Sequence, residues 1–214
     1  MEVPKTARYL TLGPDSAPDV WIVLHGYGQL ARRFLRRFEP VDDGSRYIVA
    51  PEALSRFYAE SESGRHGPGS IVGATWMTRE ARDDEIADYV RYLDLLADRV
   101  LGRHRRLTVL GFSQGVATAC RWTVRGNVQP DRIVLWGDFL PPDLDFQVAR
   151  ERWAAVETVL VRGREDHALR SKKLAVEEAE RVEAAGLDLR TVRYEGGHDI
   201  DARALAGLTK PSSE

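Results

Sequence analysis

The chain alternates short, almost continuously apolar runs with longer segments of helical periodicity, and this alternation limits the folds that it can adopt. The apolar runs, rich in valine, leucine and isoleucine, lie at residues 20–24, 47–50, 107–110, 133–136 and 158–161. A strand without polar alternation must be covered on both faces, as in a parallel sheet between two layers of helices. Residues 189–194 alternate more and predict a further strand nearer the sheet edge. We therefore predict an α/β fold with a mostly parallel central sheet and helices on both faces.

Three segments between these runs have the composition and spacing of helices. In residues 79–101 apolar side chains recur every three or four positions, which gives one apolar stripe. Residues 114–125 predict a second helix. Residues 169–185 predict a third, with Ala179 on its apolar stripe and Gly186 as its C-terminal stop.

Length, charge and cysteine content restrict the class of protein. The 214 residues suit a single domain spanning residues 1–214, and a formal net charge of -2 gives no overall attraction to nucleic acid. Cys120 is the only cysteine, so no internal disulfide can form and a cytoplasmic location is expected. Residues 1–11 lack the apolar core of a signal peptide. No run approaches the ~20 apolar residues needed for stable membrane insertion, and the oligomeric state is not predicted.

Residues 61–73 do not fit the alternating pattern. They contain too many glycines for a regular helix or strand. Long loops in compact domains are often functional, so the sequence predicts a rim or partial lid over a site here.

The strongest chemical signal is Gly-Phe-Ser-Gln-Gly at residues 111–115, between a predicted strand and a predicted helix. In such a turn the serine adopts a strained backbone conformation, and the flanking glycines let the strand and the helix approach each other. The helix N-terminus then supplies amide N–H groups and a positive dipole end near a developing oxyanion. The pentapeptide alone is common as a simple turn. Its position between strand and helix favours Ser113 as a nucleophile.

An acid is expected after a later strand, because hydrolase triads of this kind run serine, acid, histidine along the chain. Asp166 follows the apolar run at residues 158–161 and is the first choice. Its structural alternative is an Asx-turn, which is common for a loop aspartate. Glu165 and Asp138 are competing candidates.

Five histidines are available as the base. His198 follows the last predicted strand after two glycines, which allow its side chain to be aimed across the strand ends, and we predict that it is the base. His25 follows an early strand, where a histidine more often braces a loop. His66 and His104 are predicted to be surface residues. His167 is adjacent to Asp166 in the chain, and adjacent side chains rarely face each other.

A loop that donates an amide N–H to an oxyanion is predicted at residues 24–28, Leu-His-Gly-Tyr-Gly, directly after an early strand. The second donor would be the N–H of Gln114. A glycine turn leaving a strand is the alternative for this motif by itself. Four features in the expected chain order favour the catalytic interpretation.

These motifs together resemble the phospholipase/carboxylesterase family of small α/β-hydrolases, which includes acyl-protein thioesterases. The resemblance extends over most of the chain and is carried by residues 24–28, 74–76, 111–115, Asp166 and 196–200. It implies an α/β-hydrolase fold, and because the chain is short in its middle segments we expect little or no lid.

The resemblance also implies roles for individual residues. The catalytic residues would be Ser113, Asp166 and His198, and the oxyanion amides those of Tyr27 and Gln114. The residues expected to line the acyl or alcohol pocket are Trp76, Met77, Phe139 and Leu140. For Trp76 a place in the core is an equally common outcome. The chain departs from the family pattern at Met77, Thr78, Val116, Gly137 and Asp138.

The sequence thus predicts a serine hydrolase that cleaves carboxylic esters through an acyl-enzyme intermediate, with neither metal nor other cofactor. Its partner would be a small-molecule or acylated ester substrate. A thioesterase or lysophospholipase acting on acylated protein or lipid is an alternative. So are a peptidase or amidase with the same triad and a non-catalytic binding scaffold.

Overall fold

A computed structural model of the chain describes residues 1, 3–59, 67–102 and 106–209. The strands of this described part are β1 (Tyr9–Leu12), β2 (Asp19–Leu24), β3 (Arg46–Pro51), β4 (Ser55–Tyr58), β5 (Val72–Thr75), β6 (Arg106–Phe112), β7 (Arg132–Trp136), β8 (Glu157–Gly163) and β9 (Arg190–Tyr194). The helices are α1 (Ala31–Leu35), α2 (Arg82–Val100), α3 (Gln114–Arg125), α4 (Phe146–Trp153), α5 (Lys172–Ala185) and α6 (Ala202–Leu208), with short 3-10 helices at Arg36–Val41 and His167–Leu169.

Seven strands form the central sheet in the order β1-β3-β2-β6-β7-β8-β9. Only β1, at one edge, runs antiparallel to its neighbour, and every other pair in this sheet is parallel. All five apolar runs lie in strands of this sheet, and the alternating segment at residues 189–194 forms β9 from residue 190 onward. The prediction of a mostly parallel sheet is therefore confirmed, with β9 at the far edge as its alternating pattern indicated.

Helices cover both faces of the sheet, which explains why its central strands carry apolar side chains on both sides. One apolar cluster joins the sheet to α2, α3 and α4, and includes Leu93 and Trp122. The other cluster joins the opposite face to α1, the adjoining 3-10 helix and α6, and includes Phe38 and Leu205. In the described part of the chain, none of the helices combines the length and the apolar character needed to cross a membrane.

The predicted apolar stripe of α5 is wrong in one position. Ala179 is exposed, and the neighbouring Glu178 is buried instead. The Glu178 carboxylate accepts a hydrogen bond from the Leu140 amide at 2.8 Å and pairs with Arg162. A buried carboxylate with two donors therefore replaces an apolar contact. The helix stops at Gly186 as predicted, with φ 64° in the left-handed region.

The loop predicted at residues 61–73 is wrong at its end. Val72 and Gly73 begin β5, which pairs antiparallel with β4 in a two-stranded ribbon outside the main sheet. A Cβ atom on Gly73 would lie 2.7 Å from the carbonyl oxygen of Gly28, so this glycine is required by close packing of the ribbon against residues 24–28. The first part of the predicted loop, residues 61–66, lies outside the described residues.

Candidate active site

Ser113 sits in a tight turn at the carboxyl end of β6, where α3 begins. Its backbone has φ 52° and ψ -122°, a region that side-chain-bearing residues rarely occupy. A Cβ atom on Gly111 would lie 2.2 Å from the carbonyl oxygen of Gly115, and one on Gly115 would lie 2.2 Å from that of Leu24. Strand, helix and neighbouring strand therefore approach each other so closely that only glycine fits at either position.

Ser113, His198 and Asp166 form a chain of hydrogen bonds. The Ser113 Oγ lies 3.0 Å from Nε2 of His198, and Nδ1 of the same ring lies 2.9 Å and 3.0 Å from the two carboxylate oxygens of Asp166. The Asp166 side chain is fully buried, whereas 19% of the His198 side chain is exposed. The structure thus brings together the three residues that the sequence separates by up to 85 positions.

The contact with Asp166 determines which ring nitrogen of His198 carries the proton. A carboxylate only accepts hydrogen bonds, so Nδ1 carries a hydrogen and donates it to Asp166. In the neutral ring, Nε2 then has a free lone pair directed at the Ser113 hydroxyl. This arrangement is chemically able to take a proton from the serine as its oxygen attacks a carbonyl carbon.

Two aromatic residues for which the sequence predicted no role, Tyr194 and Trp136, hold the loop that carries His198 in place. The Tyr194 hydroxyl lies 2.7 Å from the carbonyl oxygens of both Gly197 and Asp199. The indole N–H of Trp136 donates to the same Asp199 carbonyl at 3.0 Å. In the sequence, β7 and β9 each end in an aromatic residue. Only the fold shows that these two residues contact each other.

The two competing acids do not take the place of Asp166 beside Nδ1 of His198. Glu165 is exposed and makes its hydrogen bond through its backbone N–H. The carboxylate of Asp138 accepts the amide N–H of Phe139 at 2.8 Å, and burial raises its pKa despite that hydrogen bond and the nearby His198. The Asx-turn considered for Asp166 is present as well, since its Oδ1 accepts the amide N–H of Ala168 at 2.9 Å.

His25 belongs to the loop at residues 24–28, and its side chain is fully buried. The amide N–H of Ala53 donates to its Nε2 at 3.1 Å, so Nδ1 carries the proton and donates to the Gly26 carbonyl at 2.8 Å. Burial lowers the pKa of His25, which favours the neutral ring. The predicted bracing position of this histidine agrees with these contacts.

The other histidines have different surroundings. His167 is exposed, and its ring centroid lies 5.1 Å from that of His198 in an edge-on arrangement. It therefore borders the site even though it follows Asp166 directly in the chain. His66 and His104, predicted as surface residues, lie outside the described residues.

The two amides predicted to form an oxyanion hole flank the serine. A Cβ atom on Gly26 would lie 3.1 Å from Cβ of Ser113, which places the loop at residues 24–28 directly beside the nucleophile. Within the described residues, the N–H of Tyr27 has no hydrogen-bond partner. Gln114 is the first residue of α3, so its N–H precedes the hydrogen bonds within the helix. Neither N–H group is therefore used by the hydrogen bonds of the described backbone.

The side chain of Gln114 has a second structural task. Its Oε1 accepts the amide N–H of Trp76 at 3.1 Å, and its Nε2 donates to the carbonyl oxygen of Met77 at 2.8 Å. These bonds fasten the segment after β5 to the start of α3.

Among the predicted pocket residues, Trp76 does not fit that role. Its side chain is only 2% exposed, and its indole N–H donates to the carbonyl oxygen of His25 at 2.8 Å. Trp76 therefore belongs to the core, because the ring is enclosed and its polar edge is satisfied there. Met77 is half-buried, and its Sδ lies 3.3 Å from a guanidinium nitrogen of Arg121.

Phe139 and Leu140 line a groove of about 470 Å³ between α3, the segment after β7, and α5. A larger cavity of about 830 Å³ lies at the opposite edge of the sheet, where Arg132, Glu157 and Arg190 begin their strands. In the part of the chain that the structure describes, no group of three or more His, Cys, Asp or Glu side chains is arranged to hold a metal ion.

No protein-family model and no curated protein sequence matches the chain. Solved structures do match it over nearly its whole length. The acyl-protein thioesterase 2 of Zea mays superposes with a TM-score of 0.72 at 18% identity, over 95% of this chain and 96% of that one. A carboxylesterase from Mesorhizobium loti gives a TM-score of 0.70 at 16% identity, over 96% and 95%. The esterase PE8 gives 0.68 at 19% identity, over 95% and 96%.

The chain has the α/β-hydrolase fold. The superpositions cover nearly the whole of each chain and establish a shared architecture, although fewer than one in five residues are identical. The fold prediction made from the sequence is confirmed. In an α/β-hydrolase the functional groups are carried by loops at the carboxyl ends of the strands. Ser113, Asp166 and His198 follow β6, β8 and β9 and so occupy that edge.

Proposed function

We propose that the protein is a serine hydrolase that cleaves carboxylic esters through an acyl-enzyme intermediate. The observation that carries the proposal is the continuous hydrogen-bonded chain from Asp166 through His198 to Ser113. A buried acid, an oriented imidazole and a strained serine at a helix N-terminus are the parts that nucleophilic acyl transfer requires. The similarity in fold to esterases and thioesterases supports the same conclusion.

In the proposed reaction, Nε2 of His198 takes the hydroxyl proton of Ser113 as Oγ attacks the acyl carbonyl carbon. The oxyanion of the tetrahedral intermediate accepts hydrogen bonds from the amides of Tyr27 and Gln114. The imidazolium, stabilised by Asp166, then gives its proton to the departing alcohol, which leaves an acyl-serine. A water molecule activated by His198 hydrolyses the acyl-serine and restores the free hydroxyl.

The substrate is proposed to be a carboxylic ester of modest size. Thioesters are the second candidate, since one of the similar structures is an acyl-protein thioesterase. Both substrates pass through the same intermediate and differ only in the leaving group. A cytoplasmic location belongs to the proposal too, because a chain with a single cysteine gains nothing from an oxidising compartment.

The decisive experiment measures labelling by a fluorophosphonate probe together with hydrolysis of p-nitrophenyl butyrate. We expect the probe to modify Ser113, and Ser113→Ala to abolish labelling and lower kcat by at least ~10⁴-fold. The exposed Ser45→Ala is the matched control and should behave like the wild type. Absence of an adduct on Ser113 would favour a non-catalytic scaffold. Faster cleavage of an acyl p-nitroanilide than of the matched ester would favour an amidase.

A further inference from the structure

The groove lined by Phe139 and Leu140 runs along α3, starting within its first turns. Ala117 and Arg121, one helical turn apart on α3, line one wall. The opposite wall consists of residues 138–142, directly after β7, and α5 contributes Leu174 with 45% of its surface exposed. The lining is mainly hydrocarbon. A substrate bound at Ser113 could therefore extend along this groove.

Asp138 stands at the end of this groove nearest to the histidine. The preceding Gly137 has φ 77°, and a Cβ atom on it would lie 3.2 Å from Oδ2 of Asp166 and 3.5 Å from Cε1 of His198. The backbone before Asp138 thus touches the pair that orients the base. Because His198 would hand its proton to the departing alcohol, the space beside it belongs to the alcohol part of an ester.

The charges around the groove leave Asp138 without a basic partner. Arg121 is held by both carboxylate oxygens of Asp143, at 2.8 Å and 3.1 Å. Arg181 stacks over the ring of Phe146, with 5.1 Å between its guanidinium carbon and the ring centroid. In the described part of the chain, no lysine or arginine forms an ion pair with Asp138.

Two further carboxylates, those of Glu177 and Glu180, line the groove. Glu177 is paired with Lys173 at 3.7 Å, whereas Asp138 has no such pair in the described part of the chain. Burial raises the pKa of Asp138, since its ionised form has lost water and gained only one amide N–H bond and the attraction of the nearby His198. A cation bound in the groove would supply a counter-charge for Asp138. If that cation carried methyl or methylene groups, these would also pack against the hydrocarbon part of the lining.

We propose that this groove binds the alcohol part of the ester and selects alcohols that carry an alkylammonium group, with Asp138 as the counter-charge. The inference rests on the proposed ester hydrolase function and names its substrate class. It assigns a specificity role to one of the positions where the chain departs from the family that it resembles.

The test compares butyrylthiocholine with its neutral carbon isostere, S-(3,3-dimethylbutyl) thiobutyrate. We expect the wild type to favour the cationic substrate in kcat/KM by about tenfold, and Asp138→Asn to remove most of that preference. The exposed Asp98→Asn makes the same charge change on α2 and should leave the ratio intact. Because the readout is a ratio between two substrates, a general loss of activity cancels. A wild-type ratio near one, or an equal loss on both substrates in Asp138→Asn, would overturn the inference.

A binding measurement separates this inference from the proposed function. On Ser113→Ala protein, calorimetric titration with choline and with its neutral isostere 3,3-dimethyl-1-butanol requires no catalysis. We expect tighter binding of choline, lost in Ser113→Ala/Asp138→Asn. Equal affinities for the two alcohols would refute the inference even in an active esterase. A protein that binds choline selectively but neither reacts with a fluorophosphonate nor cleaves esters would refute the proposed function alone.

Discussion

Asp166 serves its own loop and the neighbouring histidine with the same carboxylate. It accepts the amide N–H of Ala168 at 2.9 Å, which opens the 3-10 helix after β8, and it accepts Nδ1–H of His198. The first bond fixes the orientation of the carboxylate, and the second fixes the tautomer of the imidazole. Fold and proposed chemistry therefore depend on one buried side chain.

Asp166→Asn should separate these two tasks. An asparagine Oδ1 can still accept from Ala168, but a side-chain amide N–H facing Nδ1 favours the wrong tautomer of His198. We expect kcat for p-nitrophenyl butyrate to fall by ~10⁴-fold with little change in the thermal midpoint. Asp201→Asn is the control, because Asp201 caps α6 through Ala204 and asparagine caps equally well. A fall of less than tenfold would contradict the role given to Asp166.

At Gly115, the addition of one methyl group should strongly destabilise the fold. Its Cβ atom would meet the backbone oxygen of Leu24 at 2.2 Å, and backbone cannot move aside as a flexible side chain can. Gly115→Ala should lower the free energy of unfolding by about 3 kcal/mol. Gly207→Ala, in α6 with nothing within 4 Å of the new methyl group, should raise it by about 0.5 kcal/mol. Urea denaturation measures both, and equal effects would show that the turn at Ser113 tolerates a side chain.

At the scale of secondary-structure elements, Glu52 joins three segments that meet after β3. Its side chain is 1% exposed and accepts hydrogen bonds from Arg8 at 2.7 Å, Arg56 at 2.6 Å and the amide of Ala31 at 3.2 Å. Burial alone would raise the pKa of Glu52, but the two arginines outweigh it and the pKa is lowered. This carboxylate ties β3 to the N-terminal segment, to β4 and to α1.

Glu52→Gln should therefore destabilise the protein in a pH-dependent way. We expect the free energy of unfolding to fall by about 2 kcal/mol at pH 7. The effect is smaller than for an ion pair with two buried partners, because both arginines can turn to solvent. Because the pKa of Glu52 is lower in the folded protein than its ordinary value near 4.5, the ionised carboxylate stabilises the fold at pH values above 4.5. This stabilisation is lost as the pH falls from 4.5 through the folded-state pKa. The difference between wild type and Glu52→Gln should shrink between pH 5 and pH 3, the exposed Glu39→Gln serving as control. A difference that stays constant over this range would rule out the linkage.

The sequence predicted strands well where a continuous apolar run marks them. The runs at β2, β6, β7 and β8 needed no tertiary context, because both faces of each strand are buried. The ribbon strand β5 could not be predicted, since Val-Gly-Ala-Thr has weak strand propensity and Gly73 is there for its contact with Gly28. The four-residue strand β1 lies at the sheet edge and alternates little.

For the candidate site, the sequence predicted the residues on loops that directly follow strands. Chain order and turn chemistry were enough to choose Ser113, Asp166 and His198. The sequence could not show that Trp76 is enclosed, because an apolar ring with one N–H suits a core and a pocket equally. Nor could it show that Tyr194 holds the histidine loop, a contact made by folding.

For the molecule as a whole, Cys120 provides a probe of global unfolding. It is completely buried in α3 against the central sheet, and burial raises the pKa of its thiol. The native protein should react with a disulfide reagent such as DTNB only through unfolding, at a rate that rises with urea as the unfolded fraction does. Reductant should not change the thermal midpoint. Rapid reaction of the native protein at low urea would show local opening of α3.

The order in which the strands carry the site has a consequence for synthesis on the ribosome. Ser113 follows β6, but the residue proposed to take its proton follows β9, the last strand among the described residues. A growing polypeptide thus exposes its serine long before a base exists to activate it. Under the proposed mechanism, nascent chains stalled before His198 would not react with a fluorophosphonate. Hydrolytic activity would appear only after β9 and the loop that follows it have been synthesised.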